Sequence, residues 1–497
     1  MNEKKKTLTN LTVGVVTQLI VIALGLIVPR IVLVNYGSDT NGLINTIGQI
    51  FTYMALLEAG ISVSARNAFY KPIKEKDRDD ISFVASLARK YYKRVSFVYL
   101  LTVILLSFLL PFILKTSVPY WTICIYTLFE GLTSVVTFYF INTWITFLRA
   151  KGCSYIINIF SLISRILCYG VKMALSLRSV NIAFIQFGYF VVSLIQLVLY
   201  YLYMKNKFGW INYNVDTGDA ILPDKNANLI SEIAWVVFSS TDMIVLSIFV
   251  STSASSVYSI YNMVFVALQG LLNSVYSSIN YHLGLEYNSG NIDRYIKLHD
   301  SFMSVFVGSI SILMSVCYFL IIPFVNLYTS GVNDTNYIYD FLPLLFCLVQ
   351  ILSWSRYVTG NLIGISFRQK PAVKVNIAEA MINLLLSLIL VWKMGIEGVL
   401  SATVVALPLK VIYCTYISDI VILKRKPMKT VSILGINYFL FFVYVLLYRF
   451  INIKISNYFQ FFVSGLFITL FVGISFILAN LLVNQDAIEM IKSIKHR

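Results

Sequence analysis

Apolar stretches of about 20 residues recur along the whole chain, divided by short polar breaks. At 1.5 Å per residue each stretch can cross the roughly 30 Å hydrocarbon core of a bilayer as a helix. Barrel strands would be about half as long and would alternate in polarity, and that alternation is absent. About fourteen candidate spans result, centred near residues 22, 54, 105, 132, 166, 192, 239, 268, 313, 350, 382, 408, 441 and 470. The pattern predicts an all-α integral membrane protein. Its polar breaks divide it into an N-lobe over 1–204 (spans one to six), a linker over 205–226, a C-lobe over 227–423 (spans seven to twelve), and a final span pair with a tail over 424–497. Six spans, a linker and six more with the same hairpin order suggest an internal duplication, so the lobes are expected to be related by pseudo-two-fold symmetry. Parallel repeats of this kind place a substrate site between lobes near the midplane.

Composition agrees with that reading. The chain is 58% hydrophobic and 12% charged, against about 45 to 50% apolar residues in soluble domains. Its net charge of +16 would suit nucleic acid only on a soluble basic face, and here the cations cluster between spans. With the N-terminus inside, roughly 28 of the 39 Lys and Arg fall on the cytoplasmic side, and about five (Lys115, Arg178, Lys393, Arg449, Lys454) fall outside. Both termini are therefore expected in the cytoplasm, and nucleic acid is excluded as a partner. The basic stretch 70–94 is expected to lie as an amphipathic helix on the inner leaflet, and 484–497 as a short surface helix. Lys4, Lys5 and Lys6 resemble the start of a signal peptide, but the apolar run after them is long and lacks a small-residue cleavage site. It reads as a retained span. The six cysteines lie in or beside apolar spans without CxxC spacing and read as packing residues.

Charge inside the spans changes the picture. An ionised side chain near the bilayer centre costs about 2.5 to 3.5 kcal/mol on insertion scales, so it persists where water or a partner meets it. Arg165 and Lys172 are seven residues apart, which puts them within about 20° of one helical face. That face is cationic. Arg30, Arg356 and Lys410 are further intramembrane cations, and these five are the candidate lining of a cationic, water-filled cavity that holds an anion. Arg30 and Arg66 also lie near span ends, where a long side chain can snorkel to the interface. Glu58, Glu130, Asp242 and Glu379 are the intramembrane acids. They either neutralise the cations as ion pairs or bind H⁺ or Na⁺ and couple its entry to transport. The residues leave that choice open. Most tyrosines are expected to pack, though Tyr258, Tyr261, Tyr276 and Tyr281 could line a wet face where sugars stack.

Several chemistries lack their motifs. No GxxxxGK[ST] loop is present to cradle nucleotide phosphates, and no HExxH. The three histidines, His282, His299 and His496, are too scattered for a zinc site. No extramembrane segment exceeds about 25 residues, which leaves no room for a soluble catalytic domain. The chain reads as a non-enzyme without a bound cofactor, driven by an H⁺ or Na⁺ gradient or by the membrane potential. That potential is worth about 2.3 kcal/mol per charge per 100 mV and favours outward movement of an anion.

The first hairpin carries Pro29-Arg30, Gly37, Asn41-Gly42, LLEAG over 56–60 and AFYKP over 68–72. The later segment 378–406 carries AEAMINLLLSLILV and GIEGVLSATVVA. In these residues the chain resembles the Wzx-type polysaccharide repeat-unit flippases of the MOP exporter superfamily, with span order similar over most of 8–420. The resemblance implies a MATE/MOP-like bilobal bundle around a central cavity, working by alternating access in a bacterial plasma membrane. It implies a substrate, an oligosaccharide on polyprenyl pyrophosphate flipped to the outer leaflet for surface polysaccharide export, with a polysaccharide polymerase and glycosyltransferases as further partners. Of the five cations only Arg30 falls on a family motif, while Glu58 falls on a family acid. Two other classes compete. A MATE-like cation or drug exporter would want an acid-dominated cavity, and a glycan polymerase or glycosyltransferase a large outer loop.

Overall fold

The computed structural model describes residues 3–218, 220–221, 241–366, 369–451 and 455–484. Among these residues there is no strand, and eleven helices are long and apolar enough to cross a membrane. Two of the eleven each hold two spans, because the chain breaks within them at a glycine. Gly37 takes φ 80° and ψ 176°, and Gly395 takes φ 53° and ψ −124°. Positive φ costs glycine little and other residues more, so the backbone can leave the helix at these points. The expected span near residue 239 lies mostly outside the described residues, and its described end, 241–249, is helical.

The chain forms two compact units, Met1–Ser256 and Val257–Arg497. The first contains α1 (Glu3–Glu75, broken at Gly37), α2 (Arg78–Ile113), α3 (Tyr120–Val136), α4 (Asn142–Ala150), α5 (Ser154–Ser176), α6 (Ile182–Phe208) and α7 (241–249). A π-helical turn, Thr137–Ile141, joins α3 to α4. Near the Gly37 break, Leu43, Ile47 and Phe51 of α1 pack with Tyr99 and Val103 of α2 and with Phe138. At the other end Phe69, Phe147, Leu148, Tyr200 and Met204 form a second core. Residues 241–256 belong to this unit: Thr46 bonds Ser247 at 2.5 Å and Asn41 donates to Ser256 at 2.8 Å. Gly42 makes that approach possible, since a Cβ there would sit 1.6 Å from the Thr252 carbonyl oxygen.

The second unit is built on α9 (Ile292–Tyr328), against which α10 (Leu342–Ser355), α13 (Met428–Tyr448) and α14 (Tyr458–Val483) pack. It also holds α8 (Thr252–Asn288, from Val257 on), α11 (Tyr357–Ile365) and α12 (Gln369–Thr415), followed by a π-helical segment, Tyr416–Ile422. Phe346 stacks on Tyr261 and Phe265, while Tyr276 packs on Phe306 and Tyr357. Tyr258 also packs on Phe346, so these three tyrosines are packing residues rather than a wet stacking face. The side chain of Tyr281 lies outside the described residues. Asn437 and Asn480 exchange hydrogen bonds at 2.9 Å, and Ser304 donates to Asn480. Such a pair ties α13 and α14 to α9 by about 0.6 kcal/mol per bond, since lipid offers helices no hydrophobic drive to associate.

One expectation is corrected. The basic stretch 70–94 is not a separate surface helix but the end of α1 and the first turns of α2. Asp77 accepts hydrogen bonds from the amides of Asp79 and Asp80, capping α2 where the chain turns. From there α2 runs on into its span without interruption. The linker lies along these turns. Ser86 and Ser82 bond the backbone of Asn212 and Val215, Lys90 donates to the Gly218 carbonyl at 3.0 Å, and Arg78 and Arg89 cover the rings of Trp210 and Tyr213. The expected surface helix at the tail falls outside the described residues beyond 484.

Candidate functional site

Three groups of polar side chains sit within apolar helices. The first is a cavity of about 270 Å³ in the first unit. Glu130 of α3, Lys172 and Tyr169 of α5, and Gln186 and Tyr189 of α6 line it, with Asn41 and Asn45 of α1. Gln186 donates to Glu130 at 2.5 Å, and the charge of Lys172 faces the same carboxylate. Arg165 lies one turn and more away on α5, exposed, with its charge acting on Tyr169 and Tyr189. Lys172 thus lines the cavity, whereas Arg165, expected to line it as well, is not a lining residue. Pro29 lines the cavity, whereas its neighbour Arg30 is half-buried and is not a lining residue. The wall of this hollow carries one cation, Lys172, with one acid, several phenols and several amides. An anion entering it would meet donors on several sides.

The second group surrounds Glu58. It faces Tyr92, Ser62 and Asn142, and the charge of Arg149 acts on it. Tyr92 also shares a 2.8 Å hydrogen bond with Thr146 of α4. Asp242 lies on α7 beside Tyr53, whose hydroxyl is 2.5 Å from Thr241.

The third group is in the second unit. Arg356, between α10 and α11, bonds to Glu379 of α12, and Lys410 lies 3.7 Å from the other carboxylate oxygen. Arg356 and Glu379 are 4% and 3% exposed at their side chains. Nearby on α12, Asn383 accepts bonds from Ser387 and Thr403. This acid is fully engaged by its two cations, as a buried charge in a low-dielectric setting requires.

Sequence reasoning missed four participants. Gln186 and Arg149 are a polar residue in an apolar span and a cation that reads as a loop anchor. Asp300 and Arg425 form a larger network: Arg425 grips Asp300 through two nitrogens at 2.7 and 2.6 Å and Asp419 at 2.8 Å. Burial opposes the charge of Arg425, but its bonds to Asp300 and Asp419 hold the guanidinium above its usual pKa. In sequence the stretch 424–429 reads as topological charge alone. An acid in α9 and another in the π-helical segment were the available hint.

No protein-family model matches the sequence, and no curated protein does. Solved structures do match in fold. The lipid II flippase MurJ in an inward closed conformation superposes with a TM-score of 0.70 at 15% identity, covering 95% of this chain and 99% of that one. An inward-facing multidrug resistance MATE transporter of the MOP superfamily gives 0.60 at 13% identity, over 79% of this chain and 92% of the other. The MATE multidrug transporter DinF-BH gives 0.59 at 16%, over 84% and 97%. These superpositions show that the chain has the fold of the lipid II flippase MurJ and of the MATE transporters of the MOP superfamily.

Proposed function

We propose that this protein is a membrane transporter that flips polyprenyl-pyrophosphate-linked oligosaccharide repeat units from the cytoplasmic to the outer leaflet by alternating access. The reading rests on the cavity around Lys172, whose wall carries this cation with amide and phenol donors against a single acid, Glu130, and leaves room beside them. A pyrophosphate is a doubly charged acceptor of hydrogen bonds, and cationic donors with room beside them suit it. The fold shared with a lipid II flippase supports a lipid-linked substrate. The motif resemblance in the two hairpins supports surface polysaccharide in particular.

In this scheme both termini are cytoplasmic, Arg30 and Arg165 act with Lys172 on the anion, and Arg356 and Lys410 remain paired with Glu379 unless a change of state releases them. Glu58, Glu130, Asp242 and Glu379 hold those cations or carry the coupling ion. A polymerase and glycosyltransferases would consume and supply the carried glycan. The MATE-like alternative takes its support from the acids and from a fold shared with drug transporters, and it predicts export of organic cations.

The decisive experiment reconstitutes the protein in liposomes containing a fluorescent polyprenyl-pyrophosphate oligosaccharide and follows its access to a membrane-impermeant quencher. Wild type is expected to move the lipid, and the Arg165→Ala, Lys172→Ala double variant to lose at least about tenfold of that rate. An unchanged rate in the double variant, or transport of organic cations in place of the lipid, overturns the reading.

A further inference from the structure

A further cavity lies elsewhere. It has a volume of about 580 Å³ and lies in the first unit, where α2, α4 and α6 meet the linker. Its lining holds two cations, Arg89 and Lys205, and no carboxylate. Two lining rings each carry one of these cations on a face: Arg89 lies 5.6 Å over Tyr213 and Lys205 lies 5.8 Å over Tyr201. A third cation, Lys151, sits 4.0 Å over the lining ring of Phe208. The rest of the lining is largely apolar, and Phe140, Val198 and Tyr201 within it are 42%, 51% and 50% exposed, so the cavity opens on an apolar part of the helix surface.

Two local features suit a ligand. The π-helical turn Thr137–Ile141 widens the helix beside the cavity, and such bulges often mark functional positions. One turn on, Thr143 lines the cavity at 3% exposure, and its hydroxyl has no hydrogen-bond partner among the described residues. A buried hydroxyl without a partner costs free energy, and a phosphate or ester oxygen in the cavity would supply one.

We propose that this cavity is a binding site for an anionic membrane phospholipid, with its phosphate between Arg89 and Lys205 and an acyl chain along Phe140, Val198 and Tyr201. An amphiphile matches both ends of the site, whereas a soluble anion would leave the apolar wall wet. Because the linker residue Tyr213 and the α6 residue Lys205 line one cavity, a bound lipid would fasten the linker to the helical bundle. The inference rests on the membrane fold alone and not on what the protein transports.

The test uses purified full-length protein in nanodiscs of phosphatidylcholine with a minor fraction of phosphatidylglycerol, and native mass spectrometry counts the lipid retained. Wild type is expected to retain phosphatidylglycerol over phosphatidylcholine. Lys205→Gln, on an exposed side chain, lowers that preference about tenfold. Val198→Trp, which fills the apolar wall, lowers retention of phosphatidylglycerol without removing charge. Thr143→Val, nearly isosteric, lowers it about threefold and leaves Tm unchanged. The proposal fails if Lys205→Gln retains phosphatidylglycerol as wild type does. It fails equally if inorganic phosphate displaces the lipid while Val198→Trp has no effect, because the site would then be one for a free anion.

Discussion

Glu130 and Glu379 are both acids inside apolar helices, yet their surroundings differ. Glu379 is sealed, with Arg356 bonded to one oxygen and Lys410 3.7 Å from the other. Glu130 instead receives one amide bond from Gln186 and looks into a hollow with Lys172 on its wall. A charge that is fully paired and dry contributes to structure and has little left to offer a ligand. A charge with space beside it keeps that capacity. The position of each acid in the sequence does not distinguish the two cases, and the packing of its neighbours does.

The comparison can be broken most forcefully at Glu379. Glu379→Ala leaves the guanidinium of Arg356 buried without its acid, and removing one partner of a buried pair costs about 3 to 5 kcal/mol. Detergent-solubilised protein should show a marked fall in Tm or fail to accumulate. The triple variant Arg356→Met, Glu379→Leu, Lys410→Met, which also removes the second cation on Glu379, should recover most of that loss, because apolar residues of similar volume in place of a buried ion cluster are often neutral. A single variant as stable as wild type would mean that Glu379 is not the sealed member of the pair.

Arg425 tests the same principle outside the spans. Arg425→Leu strips Asp300 and Asp419 of their shared cation, leaving Asp300 with His299 at 3.2 Å and Lys429 at 3.8 Å among the described residues. The expected loss is about 2 to 4 kcal/mol, below that at Glu379 because Arg425 is itself 18% exposed at its side chain. Chemical denaturation at neutral pH measures it. Lys172→Gln should cost less still, about 1 kcal/mol, since Glu130 keeps its bond from Gln186 and can take up a proton. If Lys172→Gln destabilised the protein as much as Glu379→Ala, the cavity would be a structural ion pair like the other.

Much of this was legible beforehand. Period and length of the apolar runs predict the helices, because they depend on short-range chemistry. Helical geometry puts Arg165 and Lys172 near one face of α5, but that Lys172 and not Arg165 lines the cavity depends on the helices packed against it. Pairing could not be read in the same way: nothing near Arg356 in sequence announces Glu379, which arrives from another helix. The basic stretch 70–94 was misjudged for a related reason. Its polar side chains looked solvated, but Ser82, Ser86, Lys90 and Arg89 hold the linker in place, and only the folded chain brings 209–218 to them. Gln186 was overlooked because one amide in an apolar span carries no charge to attract notice.

Arg165 offers the smallest effect on stability and the sharpest separation of roles. It is exposed, its charge acts on two phenols, and among the described residues no acid is bonded to it that its loss would leave stranded. Arg165→Gln should therefore alter unfolding free energy by no more than about 0.5 kcal/mol, as substitutions at exposed sites usually do. The same variant should slow movement of the pyrophosphate-linked lipid several-fold, because one of the two cations beside the hollow is gone, while Arg165→Lys keeps the charge and restores part of the rate. Lost stability with full transport would reverse the assignment of the open and sealed sites. Stable protein with slowed transport would place Arg165 on the path of the anion.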